Sequence, residues 1–303
     1  MAAWAHDEGA EQGSRSRQED DYGVLELPPE LEAGDLLMVL ADGMGGEQAG
    51  ARASALAVRG FVEAYDRASA IAIPERLEQT LARVNERMAR DVASNPQGLS
   101  GMGCTLLAVV LAEEGLYWIS VGDSPLWLWR RGRLRRLNQD HAYRSVLAHR
   151  VSSGEMSADE AAHHPDRNAL ISAVTGAGLD LVDLPLQAYP LKPDDQILLA
   201  SDGVLTLEER EIAAILRLAR AEGHPCRRLL AAVAERRSLH QDNVTVLWAQ
   251  SAAVRPTVPW WRRSLIRVSL LAALLGVLAG GGVWWWLAPP GDASLTVSAV
   301  APP

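Results

Sequence analysis

Five aspartates stand where apolar strands end or where a turn leads into a strand, and their carboxylates could do chemistry together. In chain order they are Asp20, Asp42, Asp123, Asp202 and Asp242. If a stacked pair of sheets brings these strand ends to one edge, so much negative charge is unfavourable without a counter-ion. Because all-oxygen ligands select Mg²⁺ or Mn²⁺ over zinc, two or three such cations are predicted there.

A centre of this kind favours hydrolysis of a phosphate ester. Bound divalent cations lower the pKa of a water and aim it at phosphorus. Arg15 offers a fork-shaped phosphate donor, and Glu19 and Asp20 follow it by four and five residues as further cation ligands. These residues predict a metal-dependent phosphate-ester hydrolase.

The stretch from Leu36 to Gly46 delivers one of these carboxylates to the end of a strand. Six consecutive apolar residues favour a buried strand, and after Asp42 three glycines within four positions let the backbone turn and approach a bound group. An ordinary Asx-Gly turn is the alternative interpretation. The same device recurs at Gln196–Gly203, where an apolar strand ends in Asp202 and glycine, and this repetition favours the site.

Other segments supply the framework for these strand ends. Apolar residues at helical spacing predict core-packing helices at 49–67 and 74–94, and strands are predicted at 103–111 and 115–123. Residues 142–168 are polar and helical without an apolar stripe, which favours a flap over a cleft. Capping-box patterns pair Ser157 with Glu160 and Thr206 with Glu209, so helices should begin at both places.

Composition speaks against several classes of function. A net charge of −9 and a pI near 5.3 argue against nucleic acid as a partner. Lys192 is the only lysine among 29 basic residues, and it lies in no P-loop or kinase pattern, which argues against ATP-driven phosphoryl transfer. Cys104 and Cys226 lack metal-ligand spacing and favour a reduced compartment.

The composition changes after Gln250, and a membrane segment is predicted beyond it. Residues 251–263 form a proline-containing linker with a basic flank, and residues 268–287 carry no charge. A helix of about 20 residues spans roughly 30 Å, the thickness of a bilayer core. A buried core helix is the alternative, although such a helix is seldom apolar on every face. We predict a catalytic domain at 1–250, a transmembrane helix at 264–288 and an extracytoplasmic tail at 289–303.

Charged and aromatic residues around this helix predict its orientation. Arg262, Arg263 and Arg267 flank the amino end, and three tryptophans at 284–286 mark the other interface. The positive-inside rule then keeps the amino-terminal domain in the cytoplasm. The chain is thus expected to be a single-pass protein of the inner (cytoplasmic) membrane.

Seven motifs occur in the order in which one known family has them. They are Arg15–Asp21, Val39–Gly46, Gly103–Thr105, Val121–Ser124, Gln139–Ala142, Leu199–Gly203 and Asp242–Val246. With them, residues 7–249 resemble the metal-dependent serine/threonine protein phosphatases of type 2C (PPM), of the bacterial type. The resemblance implies an α+β fold, a four-layer α-β-β-α sandwich with two central antiparallel sheets flanked by helices. It also implies a centre for two Mn²⁺ or Mg²⁺ ions at one edge.

The resemblance assigns a role to each candidate residue around the first metal. Asp42 would bridge the two ions, and Gly43 would lend its carbonyl oxygen. Asp20, with Glu19 beside it, would complete one ion. A metal-activated water would attack phosphorus directly, with no phosphoenzyme.

The remaining candidates belong to the other ions and to the substrate. By resemblance, Asp202 and Asp242 would complete the second ion. Asp123 with Asp202 would match a third, weaker metal site, and Arg15 would bind the phosphate.

Three positions depart from the family pattern without touching the metal ligands. Met44 stands where eukaryotic members have a histidine, Pro125 replaces an arginine, and Ser172 stands where a basic residue is common. His141 is expected to be structural rather than a proton donor. The departures therefore concern the substrate side of the site.

Together these features predict a membrane-anchored phosphatase acting on phosphoserine and phosphothreonine proteins and opposing a bacterial serine/threonine kinase. One alternative is a catalytically silent phosphoprotein-binding scaffold of the same fold. Another is a hydrolase of small-molecule phosphate esters. The complete set of carboxylates favours the enzyme over the scaffold.

Overall fold

The computed structural model describes residues 4–28, 33–45, 49–70 and 72–251. The strands are β1 Trp4–Glu11, β2 Asp20–Glu26, β3 Leu36–Met44, β4 Gly103–Cys104, β5 Leu106–Ala112, β6 Gly115–Val121, β7 Leu126–Arg130, β8 Arg133–Arg136, β9 Gln196–Ala200 and β10 Val244–Ser251. The helices are α1 Ala49–Asp66, α2 Ile73–Ser94, α3 Tyr143–Ser152, α4 Ala158–Ala162, α5 Glu209–Glu222 and α6 Pro225–Glu235. A 3-10 helix covers Asp202–Thr206.

The strands form two antiparallel sheets. In the first sheet the order is β1-β10-β9-β7-β8, and in the second it is β2-β3-β5-β6, with β4 paired to β3. The site depends on one consequence of this order. Neighbouring antiparallel strands run in opposite directions, so the start of β2 lies beside the end of β3.

The apolar run in β3 is buried on both faces of its sheet. Leu36, Met38 and Leu40 pack against residues of the other sheet, including Leu199 and Leu247. The alternate residues at 37, 39 and 41 pack under α1 and α2. The run from Leu36 to Ala41 is therefore apolar at every position because this part of the strand has no solvent-facing side.

The other sheet is covered in the same way by the carboxyl-terminal helices. Val246 and Trp248 of β10 share a buried cluster with Leu216 of α5 and Leu229 of α6. The layers thus run helices, sheet, sheet, helices. This confirms the predicted four-layer sandwich with two antiparallel sheets flanked by helices.

Local predictions are confirmed in most places, with two differences. The strand predicted at 103–111 is split at Thr105, whose side chain turns to the site. Ser157 and Glu160 form the predicted capping box. The box predicted at Thr206 is wrong, because the Thr206 hydroxyl donates instead to Gln241 Oε1 at 2.8 Å.

The predicted membrane helix at 264–288, the tail at 289–303 and residues 252–263 of the predicted linker lie outside the described residues. Ser251, the first residue assigned to the linker, is instead the last residue of β10. Within the described ranges, no helix combines the length and apolar character needed to cross a bilayer.

Candidate metal centre

A cavity of about 830 Å³ opens at the edge of the two sheets where the predicted strand ends meet. Seven of the eight predicted site residues line it: Arg15, Glu19, Asp42, Gly43, Asp123, Asp202 and Asp242. The eighth, Asp20, is buried beside Asp42, since the β2–β3 register places the two residues opposite each other. Tertiary structure therefore brings all the predicted residues to one place.

Asp42 and Asp20 are held by uncharged neighbours. The backbone N–H of Asp42 donates to Thr105 Oγ1 at 3.0 Å, and Thr105 N–H donates back to the Asp42 carbonyl at 2.8 Å. The Ser201 hydroxyl donates to Asp20 Oδ2 at 2.7 Å. Oδ1 of Asp20 is buried and finds no hydrogen-bond partner among the described residues. An orphaned carboxylate oxygen of this kind is available to a cation.

The carboxylates strongly disfavour one another's ionisation. Burial, followed by the negative charges of the other four aspartates, raises the pKa of Asp42 well above its usual value. Burial raises the pKa of Asp20 to about 6, and burial with the charge of Asp123 raises that of Asp202 to about 7. Divalent cations would relieve this repulsion, so the residues fit the predicted metals.

Position 43 has no room for a side chain, so a glycine is required there. A Cβ there would lie 2.1 Å from the carbonyl oxygen of Gly50 in α1 and 2.6 Å from that of Glu19. The Gly43 N–H donates to the Glu19 carbonyl at 3.0 Å. The strand end, the first turn of α1 and the loop before β2 can therefore touch only because residue 43 has no side chain.

Asn243 ties the amino-terminal loop to the start of β10, a role that sequence reasoning missed. Its amide donates to the carbonyls of Gln12 at 2.8 Å and Arg17 at 2.9 Å, and its Oδ1 accepts the Glu19 N–H at 2.8 Å. Arg15 is thereby held at the cavity, where its guanidinium donates to Asp242 Oδ2 at 2.5 Å. This pairing raises the pKa of Arg15.

Asp123 lies at the cavity as predicted, but its carboxylate faces an arginine that sequence reasoning also missed. The guanidinium of Arg144 donates to Asp123 Oδ2 at 2.9 Å and to Asp140 Oδ2 at 2.7 Å. Burial raises the pKa of Asp123, and Arg144 opposes that rise. The predicted third metal site is thus already balanced by a protein cation.

Within the described residues, no three His, Cys, Asp or Glu side chains stand ready-arranged around an ion. Two of the candidate carboxylates, Asp242 and Asp123, are turned to Arg15 and Arg144. Two observations still favour two bound ions: the carboxylates repel one another, and one oxygen of Asp20 has no hydrogen-bond partner among the described residues.

His141 is buried away from the cavity, and Met44 lines it. His141 Nδ1 accepts the backbone N–H of Gly122 at 3.2 Å, and burial lowers its pKa. The contact agrees with the structural role expected for His141. No histidine is among the described residues that line the cavity.

This chain is similar to known proteins over most of its length. A family model described as protein phosphatase 2C matches residues 14–238. The serine/threonine phosphatase stp of Listeria monocytogenes is 32% identical over 207 residues, which cover 67% of this chain and 79% of that protein.

Solved structures agree with these sequence matches. The crystal structure of the Mycobacterium tuberculosis serine/threonine phosphatase PstP/Ppp has a TM-score of 0.68 at 27% identity, covering 82% of this chain and 99% of that chain. The catalytic domain of PstP in complex with two manganese ions has a TM-score of 0.66 at 27% identity, covering 84% and 100% of the two chains. Sequence and fold are thus similar over the part of the chain that carries the cavity.

Proposed function

The chain belongs to the protein phosphatase 2C family and is a metal-dependent serine/threonine protein phosphatase, and from this premise we propose which of its residues carry the reaction. The observation that carries the assignment of roles is the concentration of carboxylates around Asp42 at one edge of the sandwich. Mn²⁺ or Mg²⁺, two ions per site, is the cofactor. When bound, these ions supply an activated water and neutralise charge on the phosphate.

We propose that Asp42 serves both ions, because it lies at the centre of the carboxylate group. One ion would also be held by Asp20, Glu19 and the Gly43 carbonyl. The other ion would also be held by Asp202 and Asp242. The contacts of Thr105 with Asp42 and of Ser201 with Asp20 support this arrangement, since the first fixes the Asp42 backbone and the second fixes the Asp20 carboxylate. A centre held by such contacts does not have to reorganise when substrate binds.

Arg15 is proposed to bind the substrate phosphate at the mouth of the cavity. Its side chain is 57% exposed, so an incoming phosphate can reach the guanidinium. When Asp242 turns to a metal, Arg15 loses its carboxylate partner and can offer the same donors to phosphate oxygens. The arginine would then hold the phosphoryl group in place beside the water that attacks it.

The activity is tested by phosphate release from a phosphothreonine peptide with and without Mn²⁺. We expect Mn²⁺-dependent hydrolysis by the wild type and its loss in Asp42→Asn, which removes the central charge. Asp66→Asn, at the exposed carboxyl end of α1, is the matched control and should hydrolyse normally. Full activity of Asp42→Asn would refute the assignment.

Calorimetry and a comparison of substrates separate the two alternative functions. Calorimetry that detects metal and phosphopeptide binding without hydrolysis would identify a scaffold. Faster turnover of small phosphate esters than of phosphopeptides would identify a small-molecule hydrolase.

The place of action and the partners are further proposals. We propose that a helix at 264–288 anchors the protein in the cytoplasmic membrane, supported by the uncharged run at 268–287 and the arginines before it. The phosphatase domain would face the cytoplasm, where it would oppose a serine/threonine kinase. A reporter fused after Pro303 should be active outside the cytoplasm, and activity inside would refute this orientation.

A further inference from the structure

The loop after β6 and the start of α3 are joined by a buried charge pair at the edge of the metal centre. Arg144 is the second residue of α3, and its Nη2 donates to Asp123 Oδ2 at 2.9 Å. Its Nε donates to Asp140 Oδ2 at 2.7 Å, and its Nη1 donates to Asn168 Oδ1 at 3.4 Å. One guanidinium thus uses donors on all three of its nitrogens.

The pair is largely shielded from water. The side chains of Asp123 and Arg144 are 7% and 16% exposed. Breaking such a pair leaves a buried charge without compensation, which is far more costly than losing a surface ion pair. The contact between Arg144 and Asp123 is therefore a persistent feature of the fold.

Arg136 reinforces the same cluster. Its Nη1 donates to Asp140 Oδ2 at 3.0 Å, and its Nη2 donates to the Asp123 carbonyl at 2.9 Å. Asp140 therefore balances parts of two arginines, whereas Asp123 receives its balancing charge from Arg144.

We propose that Arg144 takes the place of a third divalent cation at Asp123, so that the centre holds two ions and Asp123 fastens α3 to the edge of the cavity. A cation at Asp123 would compete with the guanidinium for the same carboxylate. It would also lie beside a positive charge that is held in place by Asp140 and Asn168. The inference rests on the phosphatase function proposed for the same site.

The contacts of α3 also reach the far end of the polar segment at residues 142–168. The backbone N–H of Arg144 donates to the Arg167 carbonyl at 2.8 Å, and the backbone N–H of Tyr143 donates to the Ala169 carbonyl at 2.9 Å. Asn168, Leu170 and Ile171, which follow, line the cavity. The two ends of residues 142–168 are thus joined by backbone hydrogen bonds, and the Arg144 side chain connects them to Asp123.

The number of bound ions tests the inference directly. The full-length protein is stripped of metal with a chelator and dialysed against increasing Mn²⁺, and bound manganese is counted per chain by atomic emission. We expect the wild type to reach two ions and Arg144→Met to reach three, the third binding more weakly. The double variant Arg144→Met/Asp123→Asn should return to two.

The matched control is Arg150→Met, which removes an exposed arginine from the same helix. It should bind two ions. Three ions on the wild type, or two on folded Arg144→Met, would overturn the inference. If circular dichroism shows that Arg144→Met does not fold, Asp123→Asn alone decides: an unchanged count of two supports the inference, and a lower count overturns it.

Hydrogen exchange tests whether the contact between Arg144 and Asp123 holds α3 in place. Phosphopeptide hydrolysis distinguishes a failure of this inference from a failure of the proposed phosphatase function. Amides of residues 143–152 should exchange faster in Arg144→Met than in Arg150→Met, and equal rates would overturn that part. A failed phosphatase assignment would appear as absent phosphopeptide hydrolysis by the wild type in the same Mn²⁺ series. A failed inference would appear only in the ion count and the exchange rates.

Discussion

At the scale of single residues, the carboxylates of the centre depend on neutral partners that position them. Thr105 is the clearest case, because its hydroxyl accepts the Asp42 N–H and lies 2.8 Å from the Ser124 hydroxyl. The charged residues would supply ligands, whereas this threonine determines where the central ligand stands.

Replacing Thr105 with valine should destabilise the protein and weaken metal binding. The change leaves the Asp42 N–H and the Ser124 hydroxyl without a partner, at a cost of about 1–3 kcal/mol for each buried group. Urea unfolding and Mn²⁺ titration measure the two effects. Thr105→Ser keeps the hydroxyl and serves as the control, and equal stability of the valine and serine variants would contradict the prediction.

His141 should make the protein less stable in acid. Because burial lowers its pKa in the folded state, the unfolded chain binds the proton more readily. The stabilisation from this group is present above the unfolded pKa of about 6.5 and falls by up to about 1.4 kcal/mol per pH unit below it. The free energy of unfolding, measured against pH, should show this loss in the wild type.

His141→Asn separates this effect from that of the carboxylates. The asparagine Oδ1 takes the position of the imidazole Nδ1 and can still accept the Gly122 N–H, but the amide does not titrate. The difference in stability between wild type and variant should therefore shrink as the pH falls below 6.5. A difference that stays constant with pH would show that His141 does not contribute.

At the scale of elements, the site forms because several strands begin or end at the same edge of the sandwich. Asp42 lies two residues before the end of β3, and Asp202 follows the end of β9 by two residues. Asp20 is the first residue of β2. The first turn of α1 closes onto the end of β3 at Gly43. Packing between elements therefore positions the backbone of the ligand residues before any ion binds.

A methyl group at Gly43 should separate these elements. Gly43→Ala places Cβ 2.1 Å from the Gly50 carbonyl, so either β3 or α1 must move. Overpacking of this kind costs about 1–3 kcal/mol or more. We expect a lower melting temperature and loss of Mn²⁺ binding. Gly178→Ala is the control, since nothing lies within 4 Å of a Cβ there, and similar behaviour of the two variants would contradict the prediction.

At the scale of the whole molecule, the metal centre joins the two sheets. Asp20 and Asp42 belong to one sheet, whereas Asp202 and Asp242 lie beside strands of the other. Their mutual repulsion acts across the sandwich when no cation is present. Ions bound between them should therefore stabilise the whole fold.

Removing metal should lower the stability of the entire domain. Each ion that binds only the folded state adds about 2.7 kcal/mol at a free concentration 100 times its Kd. Thermal unfolding with chelator and with increasing Mn²⁺ should show a concentration-dependent rise in melting temperature. Asp42→Asn should show a much smaller rise, and an equal rise in both proteins would place the stabilising ions elsewhere.

The sequence by itself determined the layers and most of the site. Apolar runs such as Leu36–Ala41 require a sheet that is covered on both faces, and the family resemblance of the seven motifs specifies that this sheet belongs to a sandwich of two antiparallel sheets between helices. An aspartate that ends such a run must lie at a sheet edge. The seven motifs therefore sufficed to predict the fold, the family and a metal centre to which Asp42, Asp202 and the other candidates belong.

Tertiary structure alone decided how the charges are paired. Arg144 meets Asp123 across 21 residues, and Asn243 meets Gln12 and Arg17 across 231 and 226 residues. Local patterns contain no information about such partners, because a side chain's charge is visible in the sequence whereas its neighbour is set by packing. For the same reason Thr206 bonds to Gln241 instead of capping its helix, and Asp123, a predicted metal ligand, lies against an arginine.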